Sequence, residues 1–234
     1  IMPRIITNTT ELFDGSFAIL IGGSISLVLG YFSAKLASKF PKQPFYTYAQ
    51  KIATKPVAIV LTLLMALIFL SITGFELRSL SNIAAKYLFD VTPPQVVSLV
   101  FFLAVIYAAS GSDVAVLRLN LMFLPIFLTV LLVLFIFNIR YLDVTHFTPF
   151  FTTSWYGIIQ ASLSVAKGMY GFSVVLFYVS FMNKPQKAVK ATMIGVSITL
   201  LINFTIFFFV VGQLGHAVTQ NVMYPTIEMA KETE

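Results

Sequence analysis

The sequence predicts an all-α integral membrane protein. Of 234 residues, 58% are hydrophobic and only 10% charged, with mean hydropathy +0.91. Soluble domains carry about 25% charged residues and 45–50% apolar ones. The apolar residues gather into six runs near the length a helix needs to cross about 30 Å of hydrocarbon. These runs are apolar on both faces, whereas barrel strands would alternate; helices are therefore the spanning elements.

Taken in order, the runs lie near 17–34, 57–77, 95–110, 119–139, 155–181 and 190–213. The third is short, but Pro93 and Pro94 stand where a helix can begin. Pro125 inside the fourth predicts a kink. The stretch 35–56 predicts either a short amphipathic helix at the membrane surface or an ordinary loop. Thr62 and Ser71 are expected to bond their own helix carbonyls, Asn203 a neighbouring helix, and His146 to be solvated in a loop.

The loops give an orientation. Lys35, Lys39, Lys42, Lys51 and Lys55 follow the first run, Asp113 and Arg118 the third, and Lys184, Lys187 and Lys190 the fifth. The intervening loops hold most of the acids. The positive-inside rule puts the lysine-rich set in the cytoplasm. The net charge of +6 then reflects cytoplasmic loops and implies no nucleic-acid partner. The first residues, IMPRIITN, and the last, EMAKETE, are expected to continue a longer chain.

Several chemistries are excluded. There is no cysteine, His146 and His216 lie far apart, and neither a metal-binding His motif nor a Gly-rich phosphate loop occurs. No nucleophile–base pair stands out, so no enzyme and no cofactor is expected.

The informative stretch is residues 155–181. Lys167 is thirteenth of these 27 residues, about 20 Å from either end, beyond the roughly 6 Å reach of its stem. An ammonium facing lipid there costs at least about 2.5–3.5 kcal/mol, so Lys167 is expected to point toward an acceptor or a watery cavity. Gly168 and Gly171 each weaken a helix by about 1 kcal/mol relative to alanine. Alone, they could simply allow close packing. Beside a centred lysine they point to a broken helix lining a ligand cavity, as in secondary transporters. The candidate ligand-binding residues are Lys167, Gly168, Met169, Tyr170, Gly171 and Phe172, with Pro3 marking a second interruption.

Five stretches carry a resemblance: IMPRII, DVTPPQVV, GSDVAVLRLNLMFLPI, MYGFSVVLFYVSFMNKPQKAVKA and MYPTIEMAKE. Together they resemble, in order, motifs of the endospore germination permeases. These are the B subunits of spore nutrient-germinant receptors, within the amino acid–polyamine–organocation transporter superfamily. The resemblance covers nearly the whole chain. It implies a LeuT-like inverted-repeat bundle, with the end of helix one followed by six full transmembrane helices. Residues 1–234 would form a single transmembrane domain, 1–140 giving most of the first repeat and 155–234 the start of the second. It also implies a small germinant, an amino acid, and receptor A and C subunits as partners in the spore inner membrane; an ordinary amino-acid permease is the alternative. The chain departs from the motif at Ser173, where the family often has Glu, and at Lys167, where an aromatic or small residue is common.

Overall fold

A computed structural model describes residues 2–89, 91–149 and 151–231. Among them the chain is helical, with no strand. The α-helices are α1 (Met2–Thr7), α2 (Gly15–Ser38), α3 (Phe45–Ile52), α4 (Lys55–Tyr87), α5 (Pro94–Ala109), α6 (Asp113–Asn138), α7 (Trp155–Gly168), α8 (Val175–Tyr178), α9 (Ala188–Asn221) and α10 (Pro225–Lys231). Among the described residues, five stretches are long and apolar enough to cross a membrane, at Leu12–Ser38, Lys55–Tyr87, Val114–Tyr141, Trp155–Phe181 and Pro185–Asn221; α5 is a shorter apolar helix. These match the six runs of the sequence. The chain is a multi-pass membrane protein.

Helix ends differ from the runs for a physical reason. α4 continues ten residues beyond the apolar run, through Arg78, Ala84, Ala85 and Lys86. Hydropathy marks the part suited to lipid, whereas good helix formers carry the helix onward. α6 passes through Pro125 as one element.

The chain forms two compact units. Unit 1 comprises residues 1–51 and 134–234, and unit 2 comprises 52–133. In unit 2, α4 packs along α5. Most of its large apolar residues, such as Leu63, Leu67, Leu70 and Phe102, face outward, as expected of helices whose solvent is lipid.

Unit 1 is built around α2. Its buried face is almost wholly small: Gly15, Ala18, Gly22, Ser26, Gly30 and Ala34 recur at helical spacing. Small residues let backbones approach, which is how helices associate where no hydrophobic force separates protein from solvent. A Cβ on Gly22 would strike the carbonyl oxygen of Ser162 on α7, and one on Gly23 the side chain of Leu200 on α9. The core joins Ile6 of α1, Ile19 of α2, Val165 of α7 and Phe207 of α9.

The connection from α6 to α7 is part of unit 1 and docks on α2 and α9. Asp143 accepts from the N–H and Oγ1 of Thr145 at 2.8 and 2.7 Å, and these bonds hold its carboxyl below the usual carboxylate range. The Asp143 N–H donates to Gly212 O at 2.9 Å. Further along, Asp14 is fully buried at the start of α2 and accepts from the N–H groups of Phe151 and Thr153, each at 2.8 Å. Phe151 stacks on Phe17, ring centroids 5.1 Å apart.

Candidate functional site

α7 starts cleanly. Ser154 is its N-cap, its Oγ accepting from the Gly157 N–H at 3.3 Å. One stripe of α7 is buried, formed by Ile158, Ala161, Ser162 and Val165 and continued by Met169.

The helix stops in the middle of the span. Gly168 is its last residue and the fourteenth of the 27 in Trp155–Phe181. Met169 leaves the helical region at φ −91°, ψ 13°. A 3-10 turn follows over Tyr170–Val174, then the single turn α8, then a second 3-10 turn over Val179–Phe181. The interruption therefore falls on the glycines singled out from the sequence. A 3-10 stretch inside a helix commonly marks a hinge or a strained site.

α1 meets this break. Pro3 is buried, and the Met2 methyl occupies the place a Cβ on Gly168 would need, 2.6 Å away. Met2 and Ile6 share the core with Val165 and Met169. Met2 and Ile6, on either side of the buried Pro3, thus bring α1 against Gly168 and Met169. Thr7 Oγ1 closes α1 by donating to the carbonyls of Pro3 and Arg4, both at 3.1 Å.

The remaining candidates flank the break. Tyr170 and Phe172 are half-buried, with ring centroids 5.8 Å apart. Gly171 is exposed, and a Cβ there would meet nothing within 4 Å. Ser173 is buried and donates to Tyr170 O at 2.8 Å.

Lys167 does not point into this chain's core. It is exposed, and its ammonium has no hydrogen-bond or ion-pair partner among the described residues. Helical geometry explains it: Val165 and Met169 are buried, and a residue two positions from each lies on the opposite side of the helix.

Two histidines that are remote in sequence come to the kink of α9. Gly215 sits at φ 70°, ψ 170°, a conformation open essentially to glycine alone. His146 Nδ1–H donates to Gly212 O at 3.0 Å, and its ring faces Gly215. The expectation of a solvated loop histidine is corrected: the docked α6–α7 connection seats it on α9. His216 Nε2 lies 3.1 and 2.8 Å from the carbonyl oxygens of Thr7 and Thr10. Both are acceptors, so that nitrogen carries the hydrogen. Asn203 also differs from expectation, donating to Thr199 O of its own helix at 2.9 Å. Thr62 and Ser71 bond their own helix carbonyls as expected, each at 2.8 Å.

Asp14 and the His146–Gly215–His216 cluster escaped the sequence reading. Asp14 gave one usable signal, an acid immediately before an apolar run, where a helix N-terminus needs an acceptor. The histidines gave none, because only the tertiary fold brings them together.

These features define a class: a polytopic helical membrane protein with one transmembrane helix broken at mid-length against a second short helix. The chain belongs to the spore germination protein family, whose profile matches residues 1–234. It is 37% identical to spore germination protein GerLB of Bacillus cereus, over 100% of this chain and 63% of that protein. It is 23% identical to spore germination protein YndE of Bacillus subtilis (strain 168), over 100% of this chain and 64% of the relative. Spore germination protein A2 of the same strain is 24% identical, with the same coverage. The chain thus spans somewhat under two thirds of the length of these relatives. No solved structure matches it significantly.

Proposed function

We propose that the chain is the membrane-embedded part of a germinant-receptor B subunit that binds a small nutrient, an amino acid, at the break between Lys167 and Phe172. The interruption of α7 at Met169, seated against α1, is the observation that supports this reading. Backbone that leaves the helical ladder at mid-depth is tolerated where it lines a cavity or holds a ligand. The α-amino and α-carboxyl groups of an amino acid are suited to such backbone groups. Tyr170, Met169 and Phe172 would shape the space for its side chain.

Lys167 has two equally weighted roles. It adds positive charge for the carboxylate, or it stands permanently where a transporter would hold a coupling cation. Its lack of a partner among the described residues agrees with either. Ligand binding would favour one packing of the broken helix over another, and that shift would be the signal. Residues 1–140 and 155–234 would belong to two inverted repeats, and receptor A and C subunits in the spore inner membrane would read the signal.

Binding of twenty radiolabelled amino acids to the intact protein tests the site. Gly171→Trp fills open space and should abolish the binding of whichever amino acid the native protein holds. Lys167→Met should weaken it about tenfold or more, the loss of one charge-assisted hydrogen bond. Native affinity in both variants would sink the assignment. A permease would use the same break, since broken helices also serve transport. Sustained accumulation of the bound amino acid in proteoliposomes would favour that second reading over a pure sensor.

A further inference from the structure

Two lysine-rich stretches of sequence, far apart in the chain, meet at one end of unit 1. Ala37 at the end of α2, Val179, and Ala188 at the start of α9 share one small core. α3 is clasped onto the same place. Tyr48 donates to Leu176 O at 2.8 Å, and Phe45 packs on Phe177 with ring centroids 4.8 Å apart. This junction gathers Lys39, Lys42, Lys51, Lys184, Lys187 and Lys190, all exposed. Lys35, one turn back on α2, lies over the Tyr31 ring.

No carboxylate balances them. The sequence has no Asp or Glu between Asp14 and Glu76, nor between Asp143 and Glu228. Lys51 donates to the Gln43 amide oxygen at 2.8 Å, a neutral partner. None of these lysines forms an ion pair among the described residues. Such a concentration of unpaired cations favours an anionic counterpart outside the chain.

We infer that this end of unit 1 is a docking surface for anionic phospholipid headgroups. Its depth argues for lipid over an acidic protein. The lysines begin in the last turn of α2 and end in the first turn of α9, where two membrane-spanning helices reach the headgroup level. Tyr46 of α3 faces outward beside them, 36% exposed, the mix of aromatic and basic groups that suits the interface. Clustered basic residues beside spanning helices attract anionic headgroups through the same surface potential that orients the chain. Because α3 also grips α8, bound headgroups would steady the inner half of the broken helix. The docking itself does not depend on what the break binds.

The test titrates the intact protein, held in neutral detergent, with short-chain phosphatidylglycerol and with phosphatidylcholine, reading affinity by thermophoresis. Saturable binding of phosphatidylglycerol alone is expected, weakening with added salt. The K39Q/K42Q/K187Q/K190Q variant should lose at least about tenfold in affinity, given a several-fold contribution per charge near an anionic surface. The matching four-arginine variant should retain it. Should the glutamine variant fail to fold, K187Q/K190Q alone should still give a severalfold loss. Equal affinity for the two lipids, or native affinity in the glutamine variants, overturns the inference. So does saturable capture of a polyglutamate peptide without phosphatidylglycerol binding, which would assign the surface to an acidic protein.

Discussion

The two units hold their helices in different ways. In unit 1, α2 brings its backbone against α7 and α9 through glycine, alanine and serine, and a whole face of it is buried within the chain. In unit 2, α4 buries few residues, and its large side chains point outward. Unit 1 also carries polar joints between stretches remote in sequence: Asp14, the two docked histidines and Tyr48. The broken helix lies in the unit whose fit depends on shape. A precise seat is what a break requires if it is to hold one geometry.

A matched pair of substitutions tests the contrast most strongly. Gly22→Leu drives a side chain into the Ser162 carbonyl and should cost about 3 kcal/mol or more, whereas Gly74→Leu, with nothing within 4 Å of its Cβ, should be neutral or slightly stabilising. Thermal unfolding of the purified variants reads the difference; equal losses would erase the distinction between the units. Next in size, Asp14→Ala leaves the Phe151 and Thr153 N–H groups without their acceptor and should cost about 2 kcal/mol. Limited proteolysis should then cut near residues 151–153 faster than it does in the native protein.

The smallest effect concerns Tyr48. Tyr48→Phe removes the bond to Leu176 O and should cost about 1 kcal/mol. Burial also pushes the Tyr48 phenol well above its ordinary range. The unfolded chain therefore ionises first. Stability should be unaffected below about pH 10 and fall as pH rises beyond it. Tyr48→Phe should show a shallower fall between pH 9 and pH 11; an identical slope would detach Tyr48 from the alkaline transition.

The fold class and the spans were legible because lipid imposes a coarse rule: about 20 apolar residues per crossing. The break was legible because two glycines and a lysine are costly there and stand out. The face of Lys167 was not, since it depends on which side of α7 packs, and Val165 and Met169 decide that. The stripe on α2 was present as Gly15, Gly22, Ser26 and Gly30 at recurring spacing, but an apolar run hides small residues among large ones. Asn203 was misjudged because a polar side chain within a helix always has its own carbonyl four residues back as a ready acceptor.

Hydrogen exchange across residues 161–181 of the intact protein, with and without an amino acid shown to bind it, tests the central claim most directly. If the interruption of α7 is a ligand's seat, amides around Met169–Phe172 exchange faster than those of Ile158–Val165 in the free protein and slow when that amino acid binds. Uniform protection along the segment, unchanged by an amino acid that demonstrably binds, would contradict it.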